Sequence, residues 1–168
     1  MTKLSYRNAT QNDLKKITEI YNATIPSRLV TADTEPVSLE SKQKWFDEHS
    51  ANKRPLWIIE DNKKNIIGWV SFQSFYGRPA YDGTVEISIY LDEEYQGKGL
   101  GKQILEYCMN KAPEFEIKTI LGFIFSHNEP SIKLFKHFGF EVWGQLPNIA
   151  TLDNIDRSLS ILGKRIDL

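Results

Sequence analysis

Residues 84–102, TVEISIYLDEEYQGKGLGK, constrain this chain more than any other stretch. An apolar strand runs through a short acidic turn into Gln96, Gly97, Lys98, Gly99, Leu100 and Gly101, and helical periodicity follows. Glycines at a helix start let several backbone N–H groups converge on one anion, with the positive end of the helix dipole behind them. The loop is therefore suited to phosphate, and its spacing excludes two common ligands. A dinucleotide loop needs glycine at its first, third and sixth positions, but counting from Gly97 the sixth is Lys102, and no acidic residue is placed to read a ribose. A P-loop needs Gly-Lys followed by Ser or Thr, whereas Gly101-Lys102 is followed by Gln103 and the earlier glycine position holds Gln96. What remains is Gln-x-x-Gly-x-Gly after a strand.

The surrounding sequence predicts one mixed α/β domain, a size that 168 residues fit. Residues 4–7 form a first strand, and Thr10 with Asp13 makes a capping box ahead of Leu14, Ile17, Ile20 and Tyr21, which share a helical face. Residues 24–37 hold two prolines and several Ser, Thr and Asp residues, too broken for regular structure but long enough to fold over a site as a substrate-side loop. A second helix starts near Ser38 and carries Trp45 and Phe46, and strands 56–60 and 66–74 flank the polar turn 61–65 as a hairpin. Further on come a central strand at 84–91, a helix at 99–112, a strand at 118–125, a helix at 130–138, and closing strands near 141–144 and 158–166. Strands in series followed by β-α-β-α-β alternation place the ligand where strand ends open at the glycine loop.

Lysine plus arginine total 21 against 22 acidic residues, a net charge of -1 that offers no field for nucleic acid or an anionic membrane, so a small-molecule partner is expected. No apolar run approaches the ~20 residues of a membrane span and MTKLSYRNAT lacks a signal-peptide core, which predicts a cytoplasmic protein. The single cysteine, Cys108, shares an apolar helical face with Leu100, Ile104 and Leu105 and reads as core packing over a catalytic thiol. His49, His127 and His137 are too scattered to predict a metal site. Glu86 stands out: a carboxylate between Val85 and Ile87 is expensive unless it is paired or used, and alternation puts it on one face with Ser88 and Tyr90. Residues 75–82, FYGRPAYD, add a cation, aromatic rings and a turn just before that strand, suited to an amino-acid-like ligand.

Together with the glycine loop, Asn128-Glu129-Pro130-Ser131-Ile132-Lys133-Leu134-Phe135 and Phe138-Gly139-Phe140 form a pattern that resembles the GNAT family of acetyl-CoA-dependent N-acetyltransferases. The segments IYNATIPSRLVTADTEPVS, SFQSFYGRPAYDGTVEISIY and FIFSHNEPSIKLF are similar to its phosphinothricin and methionine sulfoximine acetyltransferase branch, so the resemblance spans most of the chain from Ile20 to Phe140. It implies a single GNAT domain over residues 1–168, with a mixed sheet of about six to seven strands flanked by about four helices. It also implies direct acetyl transfer to the α-amine of a small amino-acid analogue, acetyl-CoA as co-substrate, detoxification as the consequence, and a homodimer. Another small amine, a polyamine, a protein N-terminus, or a non-catalytic coenzyme A-binding module are the alternatives.

By motif position the resemblance assigns the coenzyme A pyrophosphate to the amides of Gly97, Lys98, Gly99, Leu100, Gly101 and Lys102, and the pantetheine arm to the backbone of Ile89, Tyr90 and Leu91. Asn128 would fix the same molecule, although Asn before Glu-Pro-Ser is equally a helix N-cap. Glu86 would be the general base, directly or through water; a solvent-facing or salt-bridged strand Glu is the alternative. Substrate would be held by Tyr76, Gly77 and Arg78 with Glu86, and Tyr81 and Arg28 are further candidates. The chain departs from the family at Phe135, where many members have a tyrosine proposed to protonate the leaving thiolate. Tyr90, Tyr81, water or no acid then does that work, and the low pKa of a thiol lets it leave unaided.

Overall fold

Leu56 to Glu60 are buried on both faces of a strand, and this sandwiched position explains why that stretch reads Leu-Trp-Ile-Ile without polar alternation. The computed structural model describes residues 2–166. Seven strands, β1 (Ser5–Asn8), β2 (Leu56–Glu60), β3 (Ile66–Ser74), β4 (Thr84–Leu91), β5 (Thr119–Phe125), β6 (Glu141–Leu152) and β7 (Ile155–Arg165), form one sheet in the order β1-β2-β3-β4-β5-β7-β6. Four helices, α1 (Leu14–Thr24), α2 (Leu39–Asp47), α3 (Leu100–Lys111) and α4 (Glu129–His137), cover its two faces. Neighbouring strands run antiparallel except β4 and β5, which are parallel.

The expected capping box is present: the Thr10 amide donates to Asp13 Oδ2 at 2.7 Å, closing a short 3-10 turn that runs into α1. Ser38 caps α2 by accepting from the Ser41 amide at 3.1 Å. Ile17, Ile20, Leu56, Ile58 and Trp69 fill one side of the sheet under α1 and α2. Trp57, Ile59, Val70, Phe72, Ile104, Leu105 and Cys108 fill the other under α3 and α4. Cys108 is fully enclosed there, and burial pushes its thiol far above the ordinary range, so it packs and does not react.

The closing strands are much longer than the expected 141–144 and 158–166. β6 and β7 extend to a two-residue turn in which Asp153 and Asn154 have φ of 52° and 62°, the left-handed pair of a type I′ hairpin. Two register shifts had broken the alternation, one at Trp143 and one between Leu146 and Ala150, where Pro147 and left-handed Asn148 sit. The first is shaped around Gly163: a Cβ there would lie 2.0 Å from Trp143 Cε3, so only glycine lets the indole lie down on β7.

An ionic cluster ties β1 to this framework. Arg7 bonds Asp13 through both terminal nitrogens at 2.8 and 2.9 Å and Glu60 through Nε at 2.8 Å. The guanidinium holds both carboxyls below their usual range. Such depressed groups contribute stability that is present above the unfolded carboxylate pKa and is lost as pH falls through the folded one. Arg7→Gln is therefore expected to lower stability by about 1 kcal/mol at pH 7, with Arg7 partly exposed and screened. In urea titrations the gap from wild type should close progressively as the pH is taken below 4.

Candidate active site

β4 and β5 are in register over only three pairs, Thr84 with Thr119, Val85 with Ile120 and Glu86 with Leu121. Beyond that point β4 keeps its partner β3 as far as Leu91, and β5 keeps β7 as far as Phe125, but the two strands no longer pair with each other. Backbone groups of Ile87 to Leu91 thus face a gap inside the sheet, where a cavity of about 1170 Å³ opens. Gly122 lines it on the β5 side, and a Cβ at Gly122 would meet Phe135 Cε1 at 2.8 Å. Phe135 is buried on that glycine and meets Phe140 edge-on at 4.9 Å, so the position that departs from the family serves packing at the cavity wall.

The glycine loop closes one end. Gly97 and Gly99 take φ of 70° and 76°, with open space where a Cβ would stand, and Gly99 is the residue before α3. Among the described residues the amides of 97–101 donate to no backbone carbonyl in the turn. Gln96 Nε2 donates to the Leu91 carbonyl at 3.1 Å, folding the loop back on the end of β4. Gly101 lets α3 approach α4, since a Cβ there would be 2.9 Å from Leu134. Lys98 reaches over the Tyr95 ring at 5.3 Å and Leu100 is in the core, so these two offer the site their amides only; Lys102 and Lys133 line the cavity itself.

Ile89, Tyr90, Leu91, Asn128 and Glu86 all line the cavity. Asn128 caps α4 by accepting from the Ser131 amide at 3.4 Å, and its Nδ2 donates to the Leu29 carbonyl at 3.2 Å. Glu86 has no ion pair or side-chain hydrogen bond among the described residues, and burial alone pushes its carboxyl above the usual range. Tyr90 stacks on Trp69 at 4.6 Å and meets Tyr21 at 5.1 Å, and burial raises its phenol as well.

The irregular stretch expected over residues 24–37 is shorter, since Thr24 ends α1 and Ile25–Ser27 make a 3-10 turn; in the loop that follows, Leu29, Val30, Thr31 and Ala32 line the cavity. It is tethered by main-chain carbonyls: His127 Nε2 donates to Arg28 O at 2.9 Å beside the Asn128 bond to Leu29 O. Arg28 is not a cavity residue. Its backbone is left-handed (φ 56°), and its guanidinium pairs with Asp153 at 3.0 Å and donates to Thr34 O, on the hairpin side of the loop.

Tyr76, Gly77, Arg78 and Tyr81 also lie outside the cavity lining. Tyr76 is 80% exposed and clusters with Phe75, whose ring faces Phe123 of the cavity wall at 6.5 Å. The two ends of this loop are clamped by buried Arg54, which donates to Ser74 Oγ at 2.8 Å and Asp82 O at 2.6 Å. Sequence reasoning missed Arg54, and it missed Ile149, Ala150 and Leu159, which the long hairpin contributes to the wall. Their signal was hidden by the interrupted β6; that of Arg54 was a lone cation indistinguishable from a solvated one. No helix of the described residues is long and apolar enough to cross a membrane, and no three His, Cys, Asp or Glu residues among them could hold a metal ion.

A sequence profile of the acetyltransferase (GNAT) family matches residues 15–140. The chain belongs to this family. This acetyltransferase is 47% identical over 163 residues to YwnH of Bacillus subtilis strain 168, a protein provisionally assigned as a phosphinothricin acetyltransferase, with 97% of this chain and 99% of that one covered. It is 32% identical over 145 residues to the L-methionine sulfoximine/L-methionine sulfone acetyltransferase of Pseudomonas aeruginosa, covering 86% and 84%. The solved phosphinothricin acetyltransferase of Sinorhizobium meliloti in complex with acetyl-CoA superposes with a TM-score of 0.89 at 26% identity, covering 97% of this chain and 88% of that one. The seven-stranded mixed sheet with four helices is the fold of this family.

The Gly122–Phe135 contact makes a direct test of the cavity wall. Gly122→Ala should cost about 1–3 kcal/mol through overpacking. Adding Phe135→Leu should return part of that loss in thermal unfolding, because the two sites share one contact.

Proposed function

We propose that this acetyltransferase moves the acetyl group of acetyl-CoA to the α-amine of a small amino-acid analogue of the phosphinothricin, methionine sulfoximine or methionine sulfone type. The observation that carries the reading is Glu86, an unpartnered carboxylate on the wall of a cavity that opens between two parted strands. Support for the substrate class comes from the relatives, which are named for those compounds.

In this proposal the amides of Gly97 to Lys102, those of 97–101 free of backbone partners in the turn, take the pyrophosphate of coenzyme A, with the cations of Lys102 and Lys133 nearby and Asn128 at the end of β5. The backbone of Ile89, Tyr90 and Leu91 takes the pantetheine arm, since those residues lack a partner on the β5 side. Glu86 removes a proton from the substrate ammonium, and its raised pKa brings a carboxylate toward the range where that transfer is effective. The neutral nitrogen attacks the thioester carbonyl, a C–N bond forms, and a β4 N–H stabilises the oxyanion. Collapse breaks the C–S bond and coenzyme A leaves as thiolate; the second proton, shed by the nitrogen as the amide forms, reaches that thiolate through water because Phe135 has none to give.

Leu29, Val30, Ala32, Phe123 and Leu159 offer an apolar wall to the stem of such a substrate, and Arg78 with Tyr76 and Gly77 would meet its acidic end from outside the cavity. A polyamine is disfavoured: Glu86 is the one acidic residue lining the cavity among the described residues. Homodimerisation and a cytoplasmic location belong to the same reading. Exposed Val142, Trp143, Ile149 and Ile155 along the outer hairpin support the dimer, which should appear as twice the chain mass in light scattering.

Glu86→Gln is expected to lower kcat/KM for the amine about 100-fold or more while leaving acetyl-CoA binding intact. The wild-type rate should rise with pH through a pKa above the ordinary carboxylate range, and this limb should vanish in the variant. The sign for stability is opposite to that of Asp13. A carboxyl whose folded pKa is raised loses stability as pH climbs from the unfolded pKa through the folded one, so Glu86→Gln should be the more stable protein at pH 7. A variant with wild-type turnover would remove Glu86 from the mechanism. Binding of acetyl-CoA by the wild type, with no thiol released with any amine, would leave a coenzyme A-binding module.

A further inference from the structure

Two segments far apart in the chain wall the amine end of the cavity. Leu29, Val30, Thr31 and Ala32 come from the loop after the 3-10 turn at Ile25–Ser27, and Ile149, Ala150 and Leu159 come from the outer hairpin. Beyond Ser158, whose carbonyl accepts from the Ser126 amide at 2.9 Å, β7 has left β5, and residues 150–152 and 155–157 pair only with each other. A two-stranded ribbon of that kind is marginal by itself and takes its position from what it touches. Leu152 is buried, so the ribbon lies down on the molecule. Among the described residues the one ion pair between ribbon and loop is that of Arg28 with Asp153. Arg28 Nε donates to Asp153 Oδ2 at 3.0 Å and Nη2 to Oδ1 at 3.2 Å, a two-pronged grip that fixes direction as well as distance. Nη1 of the same guanidinium donates to Thr34 O at 3.0 Å, so one planar fork holds the hairpin tip and the far side of the loop together. Tight turns aim both side chains: Asp153, at φ 52°, stands in the type I′ turn, and Arg28, at φ 56°, ends the 3-10 turn.

From this arrangement we infer that the Arg28–Asp153 pair sets the width of the amine end of the cavity and so decides which amines fit. Arg28 and Asp153 are positioning residues. Neither lines the cavity, and they act through Leu29, Val30 and Ala32 on one wall and Ile149 and Ala150 on the other. The carbonyl bonds to His127 and Asn128 fix the start of the loop against the end of β5, and the guanidinium alone carries that fixed point across to the hairpin. A substrate stem that fills the space between the walls touches both. Without the pair the ribbon and the loop can part, so a slim stem loses contact while a wider one is admitted.

The inference rests on the proposed amine reaction, and one set of variants separates the two. Kinetic constants for acetyl-CoA, for the best amine of the phosphinothricin, sulfoximine and sulfone set, and for bulkier L-phenylalanine are measured for wild type, Arg28→Asn, Arg28→Lys, Asp153→Gly and the Arg28→Asn/Asp153→Gly pair, with folding followed by thermal unfolding. Asn and Gly both tolerate a positive φ, so these changes remove the grip and keep the turns. Asp153→Gly should raise KM for the small amine about two- to fivefold, the range an exposed ion pair supplies, and leave KM for acetyl-CoA where it was. The preference in kcat/KM for the small amine over phenylalanine should fall by at least the same factor. Arg28→Asn, which also loses the Thr34 contact, should do as much or more, and the pair should equal Arg28→Asn alone. Arg28→Lys should fall between wild type and Arg28→Asn, because lysine keeps the charge without the fork. Should Arg28→Asn misfold, Asp153→Gly at the exposed tip carries the prediction. An unchanged KM and preference in Asp153→Gly, an equal rise in both KM values, or additivity in the pair overturns the role of the ion pair while leaving the acetyltransferase reading in place. A wild type that acetylates no amine overturns both.

Discussion

The parting of β4 from β5 after three residue pairs governs the rest of the structure. Buried backbone N–H and C=O groups are nearly always paired, and an interior strand edge without a partner is costly. Here the edge at Ile87 to Leu91 faces a cavity in place of a neighbour, so a ligand with its own amide groups can complete the sheet. The remaining strands supply the stability that permits this. β2 and β3 are buried on both faces, and β5 stays paired with β7 along its whole length, so the opening is local.

Where the gap lies also decides which side chains have chemical meaning. Glu86 belongs to the last paired residue of β4, at the point where the two strands separate. Carboxylates elsewhere in the fold, such as Asp13 and Glu60, are held by a guanidinium, and their pKa values go down; that of Glu86 goes up because burial acts on it alone. Phe135 belongs to the same economy of space. The ring that stands where the resembling enzymes carry a hydroxyl packs on Gly122 and meets Phe140 edge-on, exchanging a proton donor for close packing at the cavity wall.

Much of this was legible in the amino-acid order because it depends on local rules. The capping box at Thr10, the Ser38 cap, the 56–74 hairpin and the positive-φ glycines before α3 follow from short-range chemistry, and Glu86 was conspicuous as the wrong residue for its strand. The outer hairpin was not legible. Pro147, Asn148 and the Trp143 bulge scramble its alternation, and the turn uses Asp-Asn in place of a glycine-containing pair. Side-chain direction was the other gap. Arg28 and Arg78 read alike as loop cations, yet one pairs with Asp153, while Arg54 proved to be the buried clamp; only long-range contacts decide such matters.

The tether of residues 24–37 has a consequence for how such a pocket can diversify. His127 and Asn128 hold the loop by the carbonyl oxygens of Arg28 and Leu29, groups that every amino acid carries. The side chains that project into the cavity at Leu29, Val30 and Ala32 take no part in that attachment. Their size and polarity can drift under selection for a new substrate while the anchorage stays as it is, so the wall can be rewritten one residue at a time on a backbone that does not move.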